Sequence, residues 1–379
     1  AGPGGTSAPA VLARRVERPC AVTARRRLLT AALTLALGGV GLAGCGGSDD
    51  GTITVGMAAP NMSANWVSLA VAQERGYFAA EGLRVNIEYQ QTSDGVLKAM
   101  AVGRTQIGAS VPESIFPALD HGQPLTMIYN WCRKPVAMLA VRDNSPVRTI
   151  ADLRGATIGA QSLAAGPVQL ARASLAQAGL DPKKDVRFVA VGTGAAAQNA
   201  LDTGRVNALM LYDSLYSPME QAGAKLRYLE AKSVDDLFAT TFAVTPEWLA
   251  THRKQVAGFG RALTKAQVWA RANPKAAIEL MWRGFPLSKV TPFRDKEMQT
   301  QLGMYTARSR STDLAHATPG QRWGEYEPSA VRHWQSFTKE QGLVKKEVPL
   351  QGVYTNDFVA AYNDFDADQV VRDAQSFRL

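Results

Sequence analysis

The chain has 379 residues, with 42 Lys+Arg against 33 Asp+Glu, three cysteines and four histidines. That length exceeds one typical core and suits two lobes. The histidines (His121, His252, His316, His333) are scattered, so no metal-ligand cluster is written into the sequence. Neither G-x-S-x-G nor G-x-x-x-x-G-K-[ST] occurs, which leaves hydrolase and P-loop readings without support.

Residues 1–23 read as an upstream extension. Arg25, Arg26 and Arg27 then precede an apolar run over 28–43, diluted by Gly39 and Gly41. A membrane span needs about 20 apolar residues, so this shorter run after a basic stretch predicts a secretory signal. The arginine pair also suits export of a prefolded chain. The run closes on Leu42-Ala43-Gly44-Cys45, which resembles the lipobox of bacterial lipoproteins. The resemblance implies acylation of the Cys45 thiol after removal of 1–44, and leaves 45–51 as a tether. Without 1–44 the chain carries 36 Lys+Arg against 32 Asp+Glu, a net of +4 in place of +9. The basic balance is therefore weak support for nucleic-acid binding, and none is expected. Cys45 and Cys132 remain, and an acylated Cys45 leaves no internal disulfide.

From Gly51 onward, short β-rich runs alternate with helical ones. Strands are predicted over 52–57, 83–89, 106–109, 125–129 and 136–141. Between them lie a helix over 66–75 ended by Gly76, one capped by Ser93 or Asp94 and ended by Gly103, and one capped by Ser110 with Pro112 in its first turn. The rhythm restarts after Pro146. Strands are predicted at 156–160, 186–191, 206–211 and 226–229, and helices at 167–177, 195–202 and 214–221. This βαβα order predicts an α/β fold of two similar lobes, with mostly parallel sheets flanked by helices. From Pro246 a long helical stretch runs to Asn273-Pro274, and the remainder reads as a helical C-terminal tail expected to pack on the first lobe.

Several segments together resemble the periplasmic solute-binding proteins of ABC importers, of the nitrate/sulfonate/taurine type. They are 71–78 (V-A-Q-E-R-G-Y-F) with 81–83 (E-G-L), and 108–110 (G-A-S). Further on come 149–155 (T-I-A-D-L-R-G) running into 157–159 (T-I-G), and 200–206 (A-L-D-T-G-R-V) leading to 211–213 (L-Y-D). The resemblance covers about residues 52–275 and implies a type II-like periplasmic-binding-protein fold. Lobe 1 is expected over 52–142, lobe 2 over 143–240, and a return to lobe 1 from 241 to 379. The crossovers are expected near 136–142 and 240–245. It also implies a monomer that takes a small organic solute, a sulfonate or taurine-like molecule first, to an ABC permease and its ATPase. No catalytic residue, cofactor or metal is implied, and the membrane is reached by the lipid anchor only. The alternative solute is a pyrimidine or other aromatic. A pyrimidine-synthase-like enzyme of related fold fits less well, since no cysteine cluster is present and no histidine lies between His121 and His252.

Open α/β sheets bind ligands at the carboxyl ends of their strands. Four stretches lie at a strand end followed by a helix start: 61–65, 110–114, 161–166 and 213–215. Asn61, Ser63 and Asn65 could donate to a ligand or serve turn chemistry. Trp66 could wall a cleft or fill a core. Ser110 fits the family's ligand loop. Glu113 could meet a ligand or complement its own helix dipole. Gln161 and Ser162 precede the small residues Ala164, Ala165 and Gly166, which allow close approach to backbone. Tyr212 and Asp213 end a strand, where Asp213 could also cap a helix. Trp131 and Arg133 follow another strand end, and Arg133 could fork onto a carboxylate or sulfonate or lie in solvent. Two acids, Glu113 and Asp213, at opposed strand ends argue against a small naked anion and for a solute with a donor or cationic end.

Overall fold

A computed structural model of the chain describes Gly2 and residues 51–378, apart from 164–165, 232–233, 235, 290–293 and 317–318. The signal run and the expected lipidation site Cys45 lie outside the described residues. Residues 49–379 form one compact unit.

Two five-stranded sheets organise this unit. The first contains β1 (Thr52–Ala58), β2 (Arg84–Gln90), β3 (Ile107–Ser110), β4 (Thr126–Asn130) and, last in the chain, β10 (Thr241–Val244). Its order is β2-β1-β3-β10-β4. The second contains β5 (Ala137–Arg142), β6 (Thr157–Ala160), β7 (Arg187–Ala190), β8 (Ala208–Tyr212) and β9 (Leu226–Leu229), in the order β7-β6-β8-β5-β9. Each sheet is parallel except for one strand. β10 runs antiparallel between β3 and β4, and β5 runs antiparallel between β8 and β9. Those two strands are the ones on which the chain crosses between lobes.

This placement alters two expectations. β5, assigned with 52–142 to the first lobe, pairs in the second sheet, so the outward crossing runs through 131–136. The return stretch near 240–245 is not only a crossover, because β10 completes the first sheet. Thr241 pairs with Ser110 and Asn130, and Ala137 pairs with Tyr212. Both crossing strands thus begin at the edge where the parallel strands end. The two crossings also bond to each other: Cys132 N–H donates to Thr240 O at 2.9 Å, and Ala239 N–H donates to Cys132 O at 2.7 Å. The two crossings are therefore paired behind the facing sheet edges.

Local chemistry explains most element ends. Ile107, Gly108, Ala109 and Ser110 are all buried, as a central strand requires. Thr92, not Ser93 or Asp94, caps the helix Ser93–Ala101, its hydroxyl accepting from Gly95 N–H at 3.1 Å. The helix Pro112–Asp120 starts from Val111 with no side-chain cap, so Ser110 is the last residue of β3 and not a cap. The predicted stretch from Pro246 divides at His252 into Pro246–Thr251 and Arg253–Ala272.

The tail packs on both lobes, not on the first alone. Phe358, Val359, Tyr362, Val370 and Ala374 join the first lobe's core with Phe259 and Trp269. Tyr326, Val331, Trp334 and Phe337 join a core that holds Phe116 and Met127 of the first lobe and Leu139 and Ile158 of the second. The helix Arg294–Thr312 lies along Asp213–Gln221 of the second lobe. A Cβ on Gly303 would overlap Gln221 Nε2 and Ser217 Oγ, which shows how close the approach is. Gly260 plays the same part on the first lobe, where a Cβ would overlap the ring of Tyr362. That ring is fixed by its hydroxyl, which donates to Ile128 O at 2.9 Å. Gly260→Ala is therefore expected to cost about 1–3 kcal/mol in urea unfolding, despite alanine's better helix propensity.

Candidate functional site

Between the two carboxyl edges lies a cavity of about 760 Å³, within the usual range for a small-molecule site. The first lobe supplies Asn61, Ser63, Asn65 and Trp66 after β1, Thr92 and Asp94 after β2, and Ser110, Glu113 and Ser114 after β3. The second supplies Gln161, Ser162, Gly166 and Gln169 after β6, and Tyr212, Ser214 and Leu215 after β8. Val136 and Thr240 of the crossings line it too, with Met304, Arg308 and Leu343 from the tail. Eight of the ten residues expected at the site therefore meet in one space. A hydrogen bond closes part of it, as Asn65 Nδ2 donates to Ser214 Oγ across the lobes at 2.9 Å.

Trp131 and Asp213 are the two exceptions. Trp131 is 2 % exposed and stacks behind Trp66, with ring centroids 4.4 Å apart and planes inclined by 23°. It supports the wall without lining the cavity. Trp66 is both wall and core, because it lines the cavity while only 7 % of it is exposed. Asp213 does not line this cavity but a separate one, together with Lys134 and Pro135 of the outward crossing. Its carboxylate accepts from Ser214 N–H at 2.7 Å and from Arg308, with Nη2 at 2.9 Å and Nε at 3.3 Å. The expectation of two free acids facing a ligand is thus corrected, since Asp213 is buried in an ion pair. Burial works against the charge on Arg308, but the Asp213 carboxylate outweighs it and holds the guanidinium ionised. Arg133 also lies outside the cavity. Its guanidinium is buried, rests over the Trp323 ring at 4.8 Å and donates to Thr312 O at 2.5 Å.

Several polar atoms at the cavity have no partner. Ser110 is 1 % exposed, and its hydroxyl is unbonded, as are Asn65 Oδ1 and Glu113 Oε2. Buried polar groups are ordinarily paired, so each such atom marks a place for a ligand or water. Burial pushes the Glu113 carboxyl up to about 7, opposed only partly by its own backbone N–H. Burial also raises the Tyr212 hydroxyl, with the Glu113 charge adding to it, so Tyr212 is held as a neutral donor.

The Glu113 shift carries a stability consequence. Between about 4.5 and about 7 the folded chain binds more protons than the unfolded chain. Its contribution is therefore fully present below the lower value and lost as pH rises through the upper one. Glu113→Gln removes that loss. Relative to the variant, the wild type is expected to be weaker at pH 8.5 than at pH 5.5 by about 1 kcal/mol, half the unscreened value, because solvent screens a half-buried group. Thermal melts of both chains at the two pH values, without added solute, check this.

Arg308 and Met304 were not anticipated. Arg308 and Met304 come from the helix Arg294–Thr312, whose buried residues are Glu297, Met298, Gln301, Arg308 and Ser311. A helix that buries its polar side shows no apolar stripe in sequence. Gln301 explains part of the pattern, since its Oε1 accepts from Ala64 N–H at 2.9 Å and ties this helix to the first lobe.

Comparison with known proteins places this architecture. The chain is 26 % identical over 307 residues to the riboflavin-binding protein RibY of Chloroflexus aurantiacus, covering 76 % of this chain and 81 % of the relative. Its fold matches the periplasmic aliphatic sulphonate binding protein SsuA of Escherichia coli with a TM-score of 0.61 at 18 % identity, over 80 % of this chain and 91 % of that one. The desulfurization enzyme DszB has the same fold, with a TM-score of 0.51 at 16 % identity, over 82 % and 98 % of the two chains, so the fold alone does not separate binding from catalysis. The family model described as NMT1/THI5 like matches residues 63–277. With more than half its length matched, and with two α/β lobes clasped around one cavity, the chain belongs to the NMT1/THI5-like family and has the periplasmic-binding-protein fold.

Proposed function

We propose that this chain is the solute-binding component of an ABC importer, which captures a small organic solute between its lobes and passes it to a permease without altering it. One observation carries the reading. Both lobes contribute to a single cavity at their carboxyl edges that contains unpartnered polar atoms, and no hydrogen-bonded pair of nucleophile and base is seen among its described lining residues. The paired crossings behind the cavity are suited to hinge closure. The lipobox-like run supports a cell-envelope location with attachment at Cys45, and palmitate labelling of the wild type but not Cys45→Ser tests that attachment.

For the solute we favour a flat nitrogen-containing aromatic over the sulfonate or taurine-like molecule expected first. Arg308 is the cation among the described lining residues, and its charge is matched by Asp213. A bare sulfonate would find no uncompensated positive charge, while Trp66 offers a stacking face. The relative named for riboflavin supports the aromatic reading, and the structural relative named for sulphonates supports the other. Calorimetry of the purified protein with riboflavin, a hydroxymethyl aminopyrimidine, taurine, an alkanesulfonate and nitrate separates them. Binding of an aromatic probe that is recovered unchanged is the expected result. Tight nitrate binding would defeat the solute class, and product formation would replace the importer reading with an enzyme.

A further inference from the structure

We infer that Glu113 is the specificity-determining residue of the cavity, its carboxyl accepting an N–H of the solute, so that the site selects amines or ring N–H groups and rejects donor-free analogues of the same shape. The inference rests on the solute-binding reading above and concerns what that site recognises.

The geometry is particular. Glu113 stands in the first turn of the helix Pro112–Asp120, yet its Oε2 is shielded from solvent and bonded to nothing. It reaches across the cleft to Gly166, the first residue of the helix Gly166–Gln177, where a Cβ would stand 2.7 Å from Glu113 Oε1. Only glycine lets the carboxyl lie there. The groups that face it do not neutralise it. Tyr212 is a neutral hydroxyl, Arg308 is matched by Asp213, and Asp94 on the first lobe's rim adds negative charge. The amino ends of Gly166–Gln177 and of Glu113's own helix are favourable fields, but neither gives Oε2 a donor. A shielded acceptor without a donor is costly, so a solute N–H placed there gains more than it would in water. A sulfonate or nitrate oxygen at the same place meets a carboxyl with which it competes.

A consequence is proton linkage. A donor favours the ionised carboxyl, so binding should strengthen with pH and release a proton in the range where Glu113 titrates, near 7. The test uses two matched pairs of probes with the purified protein. Riboflavin is compared with 3-methylriboflavin, which lacks the ring N–H, and taurine with ethanesulfonate, which lacks the ammonium. Titrations run at pH 5.5 and 8.5 on the wild type, Glu113→Gln and Glu113→Met. In at least one pair the donor-bearing member is expected to bind tenfold or more tightly than its partner, and about tenfold more tightly at the higher pH. Glu113→Gln should lose the pH dependence, and Glu113→Met should lose the preference, with both variants still closing their lobes in solution scattering. Equal affinities within each pair that binds, or a pH-independent wild type, overturn the inference and leave the solute-binding reading standing. Failure of all four probes to bind overturns both.

Discussion

Arg308→Ala is expected to be among the most destabilising single changes in this chain, costing about 3–5 kcal/mol. Arg308 and Asp213 have side chains that are each 8 % exposed. Removing the guanidinium leaves the Asp213 carboxylate buried with a single remaining donor, Ser214 N–H. The loss also unfastens the helix Arg294–Thr312 from the second lobe, where Gln221 Nε2 donating to Gln299 O is a more exposed second tie. Removing both charges should cost much less than removing one, because replacing a buried pair with apolar groups is often neutral or stabilising. Urea unfolding of Arg308→Ala, Asp213→Ala and the Asp213→Leu/Arg308→Met double variant measures the coupling. A single-variant cost below about 1 kcal/mol would mean that the pair does not hold the helix Arg294–Thr312 on the second lobe.

Trp66→Ala should cost about 3–5 kcal/mol in stability and most of the affinity for an aromatic solute. Both losses have one cause. The indole is stacked on Trp131 and also lines the cavity, so truncation leaves a void in the first lobe's core and removes the stacking face. Trp131 in turn leans on Phe242 of β10, with centroids 5.9 Å apart. The disturbance therefore reaches the strand on which the chain returns to the first lobe. Trp66→Phe keeps an aromatic face and should recover at least half of the stability loss. Unfolding and riboflavin titration of the two variants check this, and a Trp66→Ala chain of wild-type stability would show that the stack is not part of the core.

The α/β rhythm was legible because each buried strand carries an apolar run and most helices end on glycine. β1 to β9 lie within two residues of their expected bounds for that reason. β10 was not legible. Four residues, Thr241–Val244, look the same whether they cross between lobes or pair within a sheet. Their partners, Ser110 and Asn130, lie more than a hundred positions away. Ser110 looked like a cap because serine before a proline-led helix usually is one. Val111 holds that place instead and leaves the hydroxyl facing the cavity.

By itself the sequence determined the fold class and most of the residues at strand ends that meet in the cavity. These follow from local periodicity and turn chemistry, which act over a few residues. Only the tertiary structure decided which charges are free. Glu113 and Asp213 are equivalent in sequence, each an acid at a helix start after a strand. Packing of a polar helix from the tail brings Arg308 to one of them and leaves one carboxyl oxygen of the other unbonded. Electrostatic pairing between residues 95 positions apart depends on chain return, which no local pattern encodes.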